Sequence, residues 1–173
     1  MGGRRKKEVG RTKSDLIDPA EIVIRPFKDR DNEEVWRLHV EAQEELGLPY
    51  DIPERDGDLK QIPEAYGQPG SRFWIAEAGA GPIATAAIRR VNAETAELKR
   101  MRVSSKYRRR GLAQHMLLTA ERFCRDQGYS RIVLDTTSQQ EAARRLYSKN
   151  GYRTTGTRAL GSLTIFDYEK VLS

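Results

Sequence analysis

Residues 98–128, LKRMRVSSKYRRRGLAQHMLLTAERFCRDQG, constrain this chain more than any other stretch, because a basic, glycine-containing turn there joins a strand pattern to an amphipathic helix. Gly111 and the small Ala113 stand where a backbone would approach a ligand closely. The helix that starts at this point leaves about four backbone N–H groups without intrahelical partners, and its N-terminus carries roughly half a positive charge. Arg108, Arg109 and Arg110 add full charges, so strand, turn and helix together predict a seat for a pyrophosphate. Neither familiar phosphate loop is present. A Walker loop requires Gly-Lys followed by Ser or Thr, and a dinucleotide fingerprint requires glycines in GxGxxG spacing.

The rest of the chain supplies an alternating series of elements. Ile22-Val23-Ile24 before Arg25-Pro26 reads as a short strand stopped by proline. Asp31 and Glu34 form a capping-box pattern, and Val35, Leu38, Ala42 and Leu46 follow at helical spacing up to Gly47. A second short helix is predicted around residues 59–66. Residues 72–77, 83–91 and 95–103 then read as three strands of a meander. The central helix carries Leu112, Met116, Ala120, Phe123 and Cys124 on one stripe and stops at Gly128. A strand at residues 131–136, a short helix opened by a Ser138/Glu141 capping box, and strands near 152–157 and 163–170 complete the order.

The spacing R-x-x-G-x-A at Arg108, Gly111 and Ala113 follows a strand ending in Met101-Arg102-Val103. A second pattern, A-x-x-L-Y-x-x-x-G-Y, runs from Ala143 through Leu146-Tyr147 to Gly151-Tyr152. With these two motifs the chain resembles the GNAT superfamily of acyl-CoA-dependent N-acetyltransferases over roughly residues 22–169. The resemblance implies an α/β fold with a mixed central sheet of six to seven strands flanked by about four helices. It implies acetyl-CoA as acetyl donor, an amine as acceptor, and no metal. The backbone of Met101, Arg102 and Val103 would then take the pantetheine arm, and Arg108, Arg109, Arg110, Gly111, Leu112 and Ala113 would hold the pyrophosphate. Gln140 stands where many relatives carry Asn, and its amide offers the same hydrogen-bonding groups one methylene further out.

On the same resemblance Tyr147 becomes the general acid for the departing thiolate. A free phenol titrates near 10 and a thiol near 8.5, a gap of about 2 kcal/mol that leaves the transfer within reach. Glu97 is the candidate base, acting through water on the acceptor amine, with Glu77, His39 and His115 as rivals and a solvent-relayed proton as a competitor. Cys124, on the apolar stripe, reads as core.

Composition narrows the field further. The chain has 173 residues, enough for one domain with one core. Net charge is +6, and residues 1–13 hold six Arg/Lys against Glu8, or 6 − 1 = +5, so residues 1–20 are expected to form a basic disordered arm ahead of a single domain at 21–173. No apolar run approaches the roughly 20 residues of a membrane span and no secretory segment is evident, so a soluble, cytoplasmic protein with a lone reduced cysteine is expected. Residues 29–58 carry 11 Asp/Glu against three Arg, 3 − 11 = −8, a field that would favour a cationic amine. Residues 99–110 hold seven Arg/Lys and no acid, which keeps open a silent acyl-CoA-binding domain or a nucleic-acid module, although nucleic acid is disfavoured because the basic arm has no aromatic residue for stacking. Pairing of two copies through an edge strand is a further expectation.

Overall fold

The computed structural model describes residues 21–79 and 81–173, so the basic arm lies outside the described residues. In chain order the elements are β1 (Val23–Pro26), α1 (Asn32–Glu45), α2 (Pro53–Asp56), α3 (Ile62–Tyr66), β2 (Arg72–Glu77), β3 (Pro82–Arg90), β4 (Thr95–Val103), α4 (Leu112–Asp126), β5 (Arg131–Thr137), α5 (Glu141–Lys149), β6 (Arg153–Leu160) and β7 (Leu163–Val171). They form one seven-stranded sheet of order β1-β2-β3-β4-β5-β7-β6. Every neighbouring pair is antiparallel except β4 and β5, which run parallel because α4 carries the chain across between them.

Local chemistry explains the boundaries. The β3–β4 turn is fixed by Asn92, whose Oδ1 accepts the N–H groups of Glu94 (2.9 Å) and Thr95 (2.8 Å). Helix α4 ends in a Schellman arrangement: Gly128 has φ 80°, its N–H donates to Arg125 O (3.0 Å), and the Tyr129 N–H donates to Cys124 O (3.0 Å). Strand β3 is buried from Pro82 through Ile88 because helices cover both faces of the sheet. On one face Met116, Leu117, Ala120 and Cys124 of α4 pack on Ala84, Ala86, Ile88, Ala96 and Leu98. On the other, Val35, Leu59, Ile62 and Tyr66 pack on Phe73, Ile75 and Ala87.

Some local expectations fail for identifiable reasons. Asp31 does not cap α1; its carboxylate takes the Lys28 N–H (2.8 Å) and both terminal nitrogens of Arg25 (2.8 Å each), and the charged pair outcompetes a cap. Ser138 does not cap α5 either. That helix starts after Gln140, whose Oε1 accepts from Thr136 Oγ1 (2.9 Å) and the Thr137 N–H (3.1 Å). The single short helix expected near 59–66 is instead α2, a 3-10 turn at Gly57–Lys60, and α3, with Pro53 and Pro63 each placed in a first turn. On α4 the buried stripe includes Glu121, which is 1% exposed and lies 2.8 Å from Lys170 Nζ through both oxygens. Among the described residues no helix is long and apolar enough to cross a membrane.

Candidate active site

The site begins with a defect in β4. Ala87 pairs with Lys99 and Thr85 with Arg102, so Arg100 and Met101 together oppose Ala86, and Arg100 has φ 57°. The hydroxyl of Thr85 donates to Arg100 O at 2.7 Å and holds the bulge in place. On its other edge β4 pairs with β5 only at Thr95–Arg131, Ala96–Ile132 and Glu97–Val133. Beyond that point β5 continues with β7, and among the described residues β4 from Leu98 to Val103 has no strand on this edge. The two parallel strands therefore open into a slot with an unpaired backbone along one wall, the place into which an extended chain with amide groups can hydrogen-bond.

That open strand leads to the basic turn. A 3-10 turn at Ser105–Tyr107 is followed by Arg109 (φ 61°) and Gly111 (φ 78°), and Gly111 is the N-cap of α4 with no side-chain cap. The first intrahelical bond from this end is the His115 N–H to Gly111 O (3.1 Å), so the preceding N–H groups of Leu112, Ala113 and Gln114 point outward without intrahelical partners. A Cβ on Gly111 would meet nothing within 4 Å, which describes an open seat at the helix terminus. The arginines divide their roles. Arg108, Arg109 and Arg110 are all exposed, but Arg108 is tied down, with Nε donating to Val103 O (3.0 Å) and a terminal nitrogen bonded to Glu45. Arg108 thus braces the turn, and around the helix terminus stand backbone N–H groups with two exposed guanidinium groups, that of Arg110 lying 5.7 Å from the Tyr107 ring centroid, an arrangement able to hold an anion.

Tyr147 lies on α5, 5% exposed, with ring centroids 5.7 Å from Tyr152 and 6.2 Å from Tyr168. Burial pushes its hydroxyl up to about 12, against a smaller downward pull from Arg102. Gln140 spends its Oε1 on β5 and leaves its amide NH2 without a hydrogen bond among the described residues. Glu97 sits at the last paired position before the slot and is bound by Arg89 (2.6 and 3.1 Å) with Lys99 at 3.7 Å. Of its rivals, Glu77 pairs with Arg25 at the far edge of the sheet, and His115 is exposed on α4.

His39 belongs to a buried polar cluster that sequence reading did not assemble. It is 2% exposed, 3.4 Å from Asp56 Oδ1, and among the described residues neither ring nitrogen makes a hydrogen bond. Burial and the nearby Arg102 push its pKa down to about 4, so the imidazole is neutral at pH 7. Asp56, 1% exposed, accepts from Arg55 (3.0 and 2.9 Å), the Ile52 N–H (3.1 Å) and Arg100 (3.4 Å). Asp58 accepts from Arg100 Nε (3.0 Å) and from the Tyr66 hydroxyl. The only signal in the sequence was the run Arg100-Met101-Arg102 interrupting an apolar strand. Much of the acidic field of residues 29–58 is neutralised in the same way, Asp31 by Arg25, Glu34 by Arg37, Glu45 by Arg108 and Asp51 by Lys60.

Two concavities lie at different distances from this site. One of about 430 Å³ is bounded by Phe27, Tyr66, Phe73 and Phe123, and one of about 340 Å³ by Glu34, Glu41, Ser104 and Tyr107. The first is remote from the slot and the second borders the basic turn from the α1 side, so the chemistry is assigned by the open strand and helix terminus rather than by cavity size.

A profile of the Acetyltransferase (GNAT) family matches residues 32–152, which spans β4, the basic turn, α4, β5 and α5. The chain belongs to the GNAT acetyltransferase family. Among curated relatives, mouse N-acetyltransferase 8 is 37% identical over 113 residues, 62% of this chain and 50% of the relative. Human N-acetyltransferase 8 is 35% identical over 105 residues, 57% of this chain and 46% of the relative. The chain therefore spans about half the length of the curated relatives it matches. Among solved structures, an acetyltransferase from Streptococcus agalactiae superimposes with a TM-score of 0.79 at 21% identity, covering 88% of this chain and 99% of that one. The Salmonella typhimurium protein yncA, solved with its cofactor acetyl-CoA, gives 0.72 at 18% identity over 88% and 95%. At such identities the likeness establishes the GNAT fold.

Proposed function

We propose that residues 21–173 form an N-acetyltransferase that moves an acetyl group from acetyl-CoA to a primary amine by direct attack within a ternary complex. The observation that carries this reading is the continuity of the open edge of β4 with the uncapped N-terminus of α4 at Gly111. An extended amide chain that ends in a pyrophosphate matches both ends of that path. Family membership and the name N-acetyltransferase 8 of the relatives support it.

Each residue then has a defined part. The backbone of Met101, Arg102 and Val103 hydrogen-bonds the pantetheine amides and orients the thioester. The N–H groups from Leu112 onward, with Arg109 and Arg110, hold the pyrophosphate, and Gln140 donates its free amide N–H from the opposite wall. Acetyl-CoA supplies a thioester: a C–N bond forms to the neutral amine, the C–S bond breaks, and overall nitrogen loses one proton while sulfur gains one. Tyr147 faces the sulfur. With its hydroxyl near 12 and a thiol near 8.5, complete proton transfer to the free thiolate would be uphill by about 5 kcal/mol. Tyr147 therefore acts by donating a hydrogen bond to sulfur as negative charge develops there, a part for which a phenol that stays protonated is suited. Glu97 receives the amine proton through water at the mouth of the slot.

The test is Tyr147→Phe, which keeps the ring in its aromatic cluster and removes one oxygen. Release of free coenzyme A thiol should fall by about 10²-fold or more, with acetyl-CoA affinity changed much less. Wild-type turnover in this variant, with chemistry limiting, would return Tyr147 to a packing role. A wild-type chain that binds acetyl-CoA yet acetylates no amine in a broad panel would be a silent binding domain.

A further inference from the structure

The polar cluster beneath the β4 bulge has an unbalanced charge. Arg55, Arg100 and Arg102 face Asp56 and Asp58, and with His39 neutral the sum is 3 − 2 = +1. Arg55 and Arg100 consume both carboxylates, and Asp56 and Asp58 fill their remaining acceptor positions with the Ile52 N–H and the Tyr66 hydroxyl. Arg102 is the cation left over. Among the described residues its one hydrogen bond is to the neighbouring Met101 O (2.9 Å), its Nε is sealed from solvent without a partner, and no carboxylate lies within 4 Å. Burial and the charge of Arg100 weaken its hold on its proton, to about 10, yet at pH 7 it remains fully charged.

Its direction follows from the strand. Met101 and Val103 pack into the α4-side core, so the side chain between them projects to the opposite face, toward α1 and residues 53–60. There its charge is felt both by His39 on α1 and by Tyr147 on α5, the residue proposed to meet the sulfur. A guanidinium held without a counter-ion in a desolvated place is costly, and a carboxylate meets its forked donors with two parallel hydrogen bonds. The acidic stretch at residues 29–58 does not supply one, because its carboxylates near the bulge are already paired.

We propose that Arg102 receives an acidic group of the acceptor, so that the amine acetylated by this chain carries a carboxylate close to its amino group. This rests on the acetyltransferase reading above and deepens it by fixing the class of acceptor. An amino acid or an amino-acid conjugate fits; a plain polyamine or an uncharged amine leaves Arg102 uncompensated.

The experiment has two readouts. In turnover, a panel of amino acids is compared with the matching carboxamides, which keep the amine and remove the negative charge. Wild type should prefer the acid by tenfold or more in kcat/KM, mostly through KM, and Arg102→Gln should bring that ratio to within about threefold of one, with Arg102→Lys between. In binding, with coenzyme A present, saturation-transfer NMR should detect N-acetyl amino acids and not their carboxamides on wild type, and neither on Arg102→Gln. A wild type that treats acid and amide alike, prefers the amide or a polyamine, or binds no N-acetyl amino acid while still binding coenzyme A overturns the inference and leaves the acetyltransferase reading standing. Retention of the acid preference in Arg102→Gln overturns it as well. Failure to bind coenzyme A at all would instead remove the reading on which it rests.

Discussion

The enclosure of His39 makes a quantitative forecast about acid stability. The ring is 2% exposed, lacks hydrogen bonds among the described residues, and has its pKa pushed down by burial to about 4 in the folded chain. In the unfolded chain a histidine titrates near 6.5. Between these values the unfolded state binds a proton that the folded state refuses, so stability falls as pH drops from 6.5 to 4 and this contribution is fully lost below 4. For one such site the loss between pH 7 and 4.5 comes to about 2.4 kcal/mol, or roughly 5 to 10 °C in Tm for a domain of this size. His39→Leu removes the titrating group and keeps an apolar side chain in the space. Urea unfolding of both proteins at pH 7 and 4.5 then gives a double difference in which background titrations shared by the two cancel. The mutant should lose about 2 kcal/mol less than wild type over that interval. Equal losses would mean that His39 is solvated or paired in the folded state, and the account of the cluster under the β4 bulge would fall with it.

Other outcomes follow from the same geometry. Tyr147→Phe should reduce thiol release without moving any ionisation seen below pH 11, because the hydroxyl titrates at about 12; an alkaline limb near pH 10 that vanishes in the mutant would contradict the burial of the phenol. Glu97→Gln should lower kcat/KM by about tenfold or less, mainly at the acidic end where the amine holds its proton, and an unchanged profile would hand the proton to solvent alone. Cys124 is fully buried, with its thiol raised to about 12, and should resist a thiol reagent at pH 8 until the chain unfolds. Modification of the native protein within minutes would show α4 to be open.

The elements most legible in the sequence were those whose pattern is dictated locally. Strand β2 follows its short apolar run and β4 its mixed pattern between turn residues, and α4 follows its apolar stripe and Gly128. The uncapped start at Gly111 was legible too, since only glycine sits there at low cost. What local pattern does not encode is competition between distant partners. Asp31 offered a capping box until Arg25, six residues away and on another element, claimed its carboxylate. Arg108 shares a basic run with Arg109 and Arg110, yet its guanidinium is bonded to Glu45 and Val103 O, partners that the run does not reveal. The cluster of His39, Asp56, Arg100 and Arg102 joins residues more than 60 positions apart through a bulge that leaves no mark in the sequence beyond two arginines in a strand.

The most direct test of the central claim is a calorimetric titration of acetyl-CoA into the wild-type chain and into Gly111→Asp, repeated with an excess of short duplex DNA. Position 111 has φ 78° with open space where a side chain would go, so aspartate would place bulk and negative charge in the anion seat. Wild type should show saturable one-to-one binding that free coenzyme A competes away and DNA does not, and the variant, still folded by circular dichroism, should show none. An undiminished affinity in folded Gly111→Asp, or displacement by duplex DNA, would place the cofactor elsewhere and contradict the account.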